Sequence, residues 1–403
     1  MTEKLTIEGF AGIEHMELDL RKINILIGPQ ATGKSIVAKL LYFFRSLPTT
    51  HVLKWARVSQ ELPAPTVEEV SLEEFKRHFP QTTWGNREAC VRYDRGEQSA
   101  QLSWSRNGTR HAAGLSLSPG FKGSVESVLA AFEKGENEPP ERKDLREKSA
   151  TELLYGHVLV PAGRSFFAYL ERGVFRMLSL DAEFDPFLVG FGAFYEHCRK
   201  AVATPSEHLA PLLSRILSAE YTREDRRDYL VFPDGRRVDL GHCSSGHQEA
   251  LPLVAALAWV AKVSLPGIVQ SLYIEEPEAH LFPITQRHVV ELIATVFNER
   301  RRELQLVVTT HSPYILTAFN NLLEAGQVAG ELGKEGNKKA LAKLHEVVPK
   351  SQHLSPKDVA AYYLDGKTAR SIMTEEGLIE AEEIDSVSDQ IAVQFDKILD
   401  IRG

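Results

Sequence analysis

The chain has 403 residues, of which 43% are hydrophobic and 25% charged, which is typical of a globular protein and excludes a fibrous or disordered one. The 47 lysine and arginine residues against 55 acidic residues give a net charge of −8, which argues against nucleic-acid binding through the whole surface but allows a local basic face. Three widely spaced cysteines favour a reducing cytoplasm. The N-terminus does not resemble a signal peptide, and the most apolar run, residues 251–261, is too short to span a bilayer, so we expect a cytoplasmic protein without a membrane partner.

The first predicted elements are short strands. Residues 5–7 and 16–20 alternate apolar and polar side chains on either side of a glycine-containing turn, which predicts a β-hairpin. Residues 23–27 are typical of a buried strand, and residues 35–44 of an apolar helix. The sequence therefore predicts a strand and a helix joined by a short glycine-containing loop.

That loop fits the pattern G-x-x-x-x-G-K-[ST] of the phosphate-binding P-loop. Backbone N–H groups of such a loop and the start of the following helix bind phosphates. We expect Lys34 to reach the β- and γ-phosphates of a nucleotide and the Ser35 hydroxyl to ligate Mg²⁺. A chance glycine-rich turn is the alternative, and the strand before and helix after disfavour it. The predicted nucleotide-binding residues are Gly28, Pro29, Gln30, Ala31, Thr32, Gly33, Lys34 and Ser35.

The chain after the first helix predicts an inserted region. Residues 50–150 interrupt the alternation of strands and helices and contain one more hairpin, from 89–93 to 100–105. A buried strand at 155–160 resumes the main domain, and apolar residues at helical spacing predict a helical lobe at about 166–217.

The second half of the chain alternates strands and helices. An Asp234-Gly235 turn predicts a hairpin between 229–232 and 237–240. Residues 328–340 are rich in glycine, lysine and glutamate and predict a loop. Alternation of this kind implies a largely parallel sheet covered by helices on both faces. The predicted strands are 271–275 and 304–309, and the predicted helices are 246–263, 283–300 and one that starts at Ser312.

Two carboxylates end the first of those strands. Glu275 and Glu276 follow an apolar run, and a P-loop enzyme needs carboxylates opposite its phosphate loop. We assign Glu275 to the metal and Glu276, as a catalytic residue, to the attacking water. The alternative is a strand that ends in a solvated acidic turn.

A histidine ends the next strand. His311 follows an apolar run at the edge where parallel sheets bind ligands, and it is predicted to contact the γ-phosphate. A capped helix start explains Ser312 and Pro313 without any ligand, but it does not explain His311.

A Ser-Ser-Gly sequence opens the helix that contains the apolar run. Ser245 and Gln248 have the spacing of a capping box, which is the structural interpretation. The functional interpretation is an anion site at the helix start, made by Ser244, Ser245 and Gly246.

The order of these four motifs resembles the ABC-type ATPase head, in the soluble branch that includes SMC-like and OLD-family proteins and AAA-family ATPases of bacterial defence systems. Ile-Glu-Glu-Pro-Glu-Ala-His-Leu, from residue 274, looks like its Walker B motif, and Thr-Thr-His-Ser-Pro, from residue 309, like its switch-histidine loop. The resemblance implies that two heads enclose two ATP molecules with Mg²⁺, each P-loop facing Ser244-Ser245-Gly246 of the other copy. The chain departs from the usual signature at Cys243, Ser245 and His247. Arg164 resembles a recurring Pro-x-x-Arg that could contact nucleotide or the partner head, and an ion pair with an acid remains the alternative.

The resemblance implies an α/β P-loop NTPase fold with a mixed sheet, helices on both faces and a helical insertion lobe. Residues 1–49 and 151–325 would form the ATPase head, residues 50–150 an inserted region of β-hairpin and helix, and residues 326–403 a C-terminal extension.

Three functions compete on this basis. The first is an ATPase whose nucleotide-dependent dimerisation, or higher homo-oligomerisation, controls a separate nuclease or toxin in defence against phage or plasmids. The second is an SMC- or repair-like ATPase with DNA as partner, which would need a long heptad arm. The third is an oligomeric scaffold or sensor assembled by ATP, with incidental turnover.

Overall fold

A computed structural model describes residues 2–51, 65–85, 88–107, 110–125, 155–170, 184–224, 227–263, 269–301, 303–380 and 393–399. Fourteen strands are named in these ranges: β1 (Glu3–Glu8), β2 (His15–Leu20), β3 (Ile23–Ile27), β4 (Ala89–Arg95), β5 (Gln98–Asn107), β6 (Arg110–Leu117), β7 (His157–Val160), β8 (Glu220–Glu224), β9 (Arg227–Val231), β10 (Arg237–Asp239), β11 (Gln270–Glu275), β12 (Leu304–Thr310), β13 (Val359–Leu364) and β14 (Ala369–Ser371).

Helices of the described ranges surround these strands. They include α1 (Lys34–Ser46), α2 (Val67–His78), α3 (Phe167–Leu170), α4 (Pro186–Ala203), α5 (Ala210–Leu217), α6 (Ser245–Lys262), α7 (Pro283–Glu299), α8 (Pro313–Lys334) and α9 (Lys338–Val347). Residues 52–64 and 126–150 of the predicted insertion, 171–183 of the predicted helical lobe and 381–392 of the predicted C-terminal extension lie outside the described residues.

The central sheet has six strands in the order β14-β13-β3-β12-β11-β7. β3 pairs in parallel with both β12 and β13, and β11 in parallel with both β12 and β7. Only the short β14 runs antiparallel in this sheet. The carboxyl ends of β3, β11 and β12 lie at one edge, and the P-loop, Glu276 and His311 meet there. The fold is of the mixed α/β class that the sequence predicted.

Alternate residues of the central strands enter two different cores. Ile25, Ile274 and Val308 belong to a core that contains α6, α7 and α8. Leu26, Tyr273 and Val307 belong to a second core with α1. Helices therefore cover both faces of the sheet, as its nearly continuous apolar strands require.

A second, antiparallel sheet packs on α1. Its order is β2-β1-β4-β5-β6, so the predicted hairpin of residues 89–105 is present and pairs with β1. Apolar residues of these strands share the second core with α1, which places the P-loop helix between two sheets.

The predicted loop at residues 328–340 is wrong. α8 continues to Lys334, and α9 starts at Lys338 after Gly336, whose φ is +69°. A glycine inside a helix costs only about 1 kcal/mol relative to alanine, and the buried apolar side chains of α8 offset that cost. The break between α8 and α9 contains Gly336, the one glycine of residues 328–340 that has a left-handed backbone conformation.

The C-terminal part of the chain reaches the P-loop. β13, which lies in the predicted C-terminal extension, pairs along the whole of β3. The turn after it approaches the loop, because a Cβ added at Gly28 would lie 2.1 Å from the Leu364 carbonyl oxygen. The Lys367 carbonyl accepts from the backbone N–H groups of Glu14 and His15, at 3.0 Å each.

Candidate nucleotide-binding site

The P-loop has the curled backbone that its glycines predict. Gly33 precedes α1 in a left-handed conformation with φ +89°, and Ala31 has φ +63°, which is uncommon for a residue with a side chain. Strain of this kind concentrates at ligand sites. Gln30, Ala31 and Ser35 are exposed, so the outer side of the loop and the Ser35 hydroxyl are accessible.

The Lys34 side chain folds back over the P-loop and bonds to its backbone. Its Nζ donates to the carbonyl oxygens of Gly28 at 2.8 Å and Pro29 at 2.7 Å. Burial lowers the pKa of Lys34, while the carboxylates of Glu276 and Glu278 act in the opposite direction. The ammonium is thus held at the sheet edge with two carboxylates near it.

Glu276 and His311 meet opposite the P-loop. Glu276 has φ +44°, and its backbone N–H donates to the Thr309 carbonyl at 2.9 Å, so the chain turns sharply at the end of β11. Nε2 of His311 lies 2.7 Å from Glu276 Oε1, and Nδ1 lies 3.3 Å from Lys34 Nζ and 3.2 Å from the Gly28 carbonyl oxygen. Three predicted site residues therefore form one hydrogen-bonded cluster.

Glu275 is buried beside this cluster and keeps one oxygen without a hydrogen bond. Its Oε2 accepts weakly from the Ala162 N–H at 3.4 Å, whereas Oε1 has no partner among the described residues. A carboxylate oxygen that is buried and unpartnered costs free energy unless a cation satisfies it. Glu275 therefore fits a hard, oxygen-binding cation such as Mg²⁺.

A family sequence profile matches residues 71–317, more than half of the chain. The family is AAA_21, described as "AAA domain, putative AbiEii toxin, Type IV TA system". The chain belongs to this family. The matched range starts after the P-loop, so the P-loop assignment depends on residues 28–35 and on their geometry described above.

Solved structures of SMC heads are remotely similar to this AAA_21 chain. The SMC head domain from Thermotoga maritima is 13% identical, with a TM-score of 0.37, and the match covers 79% of this chain and 91% of that one. An SmcHead bound to the C-winged helix domain of ScpA is 14% identical, with a TM-score of 0.43 and coverage of 93% and 98%. A head with an extended coiled coil, bound to the C-terminal domain of ScpA derived from Pyrococcus furiosus, is 12% identical, with a TM-score of 0.40 and coverage of 97% and 99%. No curated protein sequence matches the chain.

Arg164 of this AAA_21 chain organises the acidic strand end from within the core. The guanidinium is fully buried, and Nη1 and Nη2 donate to the carbonyl oxygens of Glu275 at 2.7 Å and Glu276 at 3.0 Å. Its Nε donates to the Glu249 carbonyl at 2.9 Å and lies 3.4 Å from Oε2 of the Glu249 carboxylate. The ion pair that the sequence left open is present, and these bonds fix the backbone that carries both acidic side chains.

Glu278 lies in the Walker B-like motif, and the sequence predicts no role for it. Its Oε1 accepts from the Thr310 hydroxyl at 2.8 Å and from the His311 backbone N–H at 2.7 Å. The loop after β11 is thereby tied to the end of β12, and the backbone of His311 is fixed. Its position three residues after Glu275, in a loop at the same sheet edge, was the available signal.

The Ser-Ser-Gly segment starts α6 at the surface. Ser244 is the N-cap residue and makes no capping bond, and both Ser244 and Ser245 are exposed. The predicted capping box is wrong, because the Gln248 amide instead donates inward, to the carbonyls of Leu240, Gly241 and Cys243. The first N–H groups of α6 thus have no side-chain cap.

Position 246 has no room for a side chain, so it requires glycine. A Cβ at this position would lie 2.9 Å from the His280 carbonyl oxygen, in the loop that follows Glu276. The start of α6 and the loop after β11 are therefore in direct contact.

Exposed apolar side chains lie at the starts of α7 and α8. Phe282 is 76% exposed, Tyr314 53% and Ile284 47%. The two helix starts are joined, since the Ser312 hydroxyl donates to Gln286 Oε1 at 2.6 Å.

Among the described helices, none combines the length and apolar character needed to cross a membrane.

Proposed function

We propose that this chain binds and hydrolyses ATP with Mg²⁺, and that ATP-dependent association of two copies controls a separate effector. The observation that carries this proposal is the cluster of Lys34, Glu276 and His311 at the carboxyl edge of a P-loop sheet. It unites a phosphate-binding cation, a carboxylate and an imidazole, the groups that γ-phosphate hydrolysis uses.

In this proposal each group has a separate task. Lys34 and the P-loop N–H groups bind the phosphates, and Ser35 and Glu275 hold Mg²⁺, which would neutralise charge on the β- and γ-phosphates. The Glu276 carboxylate takes the proton of the attacking water, and His311 contacts the γ-phosphate. Arg164 acts through the backbone of Glu275 and Glu276 rather than through the nucleotide, because its guanidinium nitrogens donate to protein carbonyls.

The partner in the proposed dimer is a second copy of the chain. The start of α6 is exposed and offers N–H groups and hydroxyls, which suit a phosphate bound on the P-loop of another copy. Phe282, Ile284 and Tyr314 are exposed apolar side chains at the starts of α7 and α8, the helices that follow β11 and β12, and we propose that they belong to the same interface. Association would bury both features together.

The effector is proposed from the family description. That description names a toxin and a type IV toxin–antitoxin system. We propose a nuclease or toxin that is regulated in the cytoplasm during defence against phage or plasmids, and the description supports the toxin alternative alone. The free cysteines Cys90, Cys198 and Cys243 suit a reducing compartment.

The test is Lys34→Ala, with Lys39→Ala on the same helix as the control. Lys39 pairs with Asp185 at 2.9 Å and does not contact the P-loop cluster. We expect Lys34→Ala to abolish ATP binding and ATP-dependent self-association in equilibrium binding and sedimentation measurements, and Lys39→Ala to retain both. Unchanged ATP affinity in Lys34→Ala would overturn the proposal.

A further inference from the structure

We propose that His247 is a positioning residue for the Ser244 hydroxyl, and that a second proton on its imidazole frees that hydroxyl to bind a terminal phosphate. The inference rests on the proposed function, in which Ser244 faces the nucleotide of another copy. Nδ1 of His247 lies 2.7 Å from Ser244 Oγ, and Nε2 lies 3.0 Å from the Leu217 carbonyl oxygen.

The Leu217 carbonyl determines which ring nitrogen carries the proton. Leu217 is the last residue of α5, so its carbonyl has no partner within the helix and can only accept a hydrogen bond. The Nε2–H of His247 must therefore donate to it. In the neutral ring, Nδ1 then has only a lone pair, and Ser244 Oγ–H must donate to Nδ1.

This arrangement occupies the one proton of the Ser244 hydroxyl. A phosphate oxygen can only accept a hydrogen bond. A hydroxyl that already donates to Nδ1 would present only its lone pairs to the phosphate oxygen, and no hydrogen bond would form between them. When Nδ1 takes up a proton from solvent, the direction reverses: Nδ1–H donates to Oγ, and Oγ–H donates to the phosphate. No covalent bond between heavy atoms changes, and the resulting chain joins a cation to an anion, the stronger class of hydrogen bond.

One aromatic ring packs against the imidazole of His247. It is the ring of Phe232, which lies edge-on with the ring centroids 5.6 Å apart.

Several titratable and charged side chains lie on the elements next to His247, and within the described ranges none of them bonds to its ring. Arg215 lies near Glu291, and Arg236 pairs with Asp234. The others are Asp239 and His242 before α6, Glu249 on α6, and His280 in the loop beside Gly246.

The experiment measures self-association of the full chain with the non-hydrolysable ATP analogue AMP-PNP and Mg²⁺, at about pH 6 and about pH 8. We expect association roughly three- to tenfold tighter at the lower pH for the natural chain. His247→Gln, which cannot titrate, and Ser244→Ala, which has no hydroxyl, should both lose this pH ratio. His208→Gln, an exposed histidine before α5, should retain it.

Two negative results have different meanings. If the natural chain does not associate at either pH, both the proposed function and this inference are overturned. If it associates and the pH ratio is equal in the natural chain, His247→Gln and Ser244→Ala, this inference alone is overturned. Ser244→Ala keeps the bond from His247 to Leu217, so it gives a result even where His247→Gln disturbs α6.

Discussion

Glu276 and His311 end neighbouring parallel strands and are joined by a 2.7 Å contact between Oε1 and Nε2. The carboxylate only accepts, so the ring donates from Nε2 when Glu276 is ionised. Nδ1 lies 3.3 Å from the Lys34 ammonium and 3.2 Å from the Gly28 carbonyl oxygen. The base, the imidazole and the phosphate-binding lysine are thus coupled, and a change in one is expected to alter the others.

Glu276→Gln should reduce ATP hydrolysis by about 10²–10⁴-fold while ATP binding persists, because the amide keeps the size of the side chain but cannot take a proton from water. Steady-state phosphate release and equilibrium ATP binding test this. Glu376→Gln, in an exposed position of the C-terminal part, is the control. Glu276 and His311 are expected to act as a unit. The double variant Glu276→Gln/His311→Ala should therefore lose far less transition-state stabilisation than the sum of the losses in the two single variants. Undiminished hydrolysis in Glu276→Gln would exclude it as the base.

Gly28→Ala should destabilise the junction between the P-loop and β13. The new methyl would lie 2.1 Å from the Leu364 carbonyl oxygen, so the backbone must shift, at a cost of about 1–3 kcal/mol. ATP affinity should also fall, because the shifted backbone changes the conformation of the P-loop. Urea unfolding and ATP titration measure the two effects. Gly114→Ala, where the methyl meets nothing within 4 Å, should show neither, and an unaffected Gly28→Ala would contradict the close approach.

Gly333→Ala should stabilise the chain by about 0.5–1 kcal/mol in thermal or urea unfolding. Gly333 lies in the last turn of α8, and a Cβ there meets nothing within 4 Å, so only the backbone entropy of glycine changes. Gly336→Ala is the opposite case, because φ +69° strains a residue with a side chain. Equal effects at the two positions would mean that residue 333 is not helical.

His157 should make the fold sensitive to acid. Burial, and next the Arg45 guanidinium, lower the pKa of His157 from 6.5 to about 3, and its Nδ1 has no hydrogen-bond partner among the described residues. Below about pH 6.5 the unfolded chain therefore binds a proton that the folded chain does not. Above that pH, His157 does not change the free energy of unfolding with pH. Below it, the free energy of unfolding falls progressively as the pH decreases to about 3.

The test compares the free energy of unfolding at about pH 7.5 and about pH 5.5. The natural chain should lose about 1.4 kcal/mol more than His157→Asn over this interval, whatever the packing cost of the substitution. His15→Asn, at an exposed position, should behave as the natural chain does. Identical pH slopes for the natural chain and His157→Asn would show that the buried ring titrates normally.

Local patterns in the sequence were enough to predict the elements that carry the site. β3 and α1 flank the P-loop, and β11 and β12 end at Glu275 and at the residue before His311, because buried parallel strands are continuous apolar runs and polar residues mark their ends. Parallel pairing then brings those ends to one edge.

The contacts that the sequence did not reveal depend on residues far apart in the chain. The pairing of β13 with β3 joins residues more than 300 apart, and a short apolar run does not specify its neighbour. The bonds of Arg164 to the carbonyls of Glu275 and Glu276 likewise involve backbone atoms, which leave no trace in residue types. The helix across Gly330 and Gly333 was missed because packing by α8 outweighed glycine propensity.

The central claim is that the α6 start of one copy acts on the P-loop of another. Lys34→Ala inactivates the P-loop, and Ser245→Glu places a negative charge at the exposed α6 start, where a helix tolerates it but a phosphate does not. We predict that each variant alone is inactive, and that mixing equal amounts restores activity to at most about half of the natural ATPase rate, since each mixed dimer would have one intact site of two. A mixture as inactive as its two components would contradict the account.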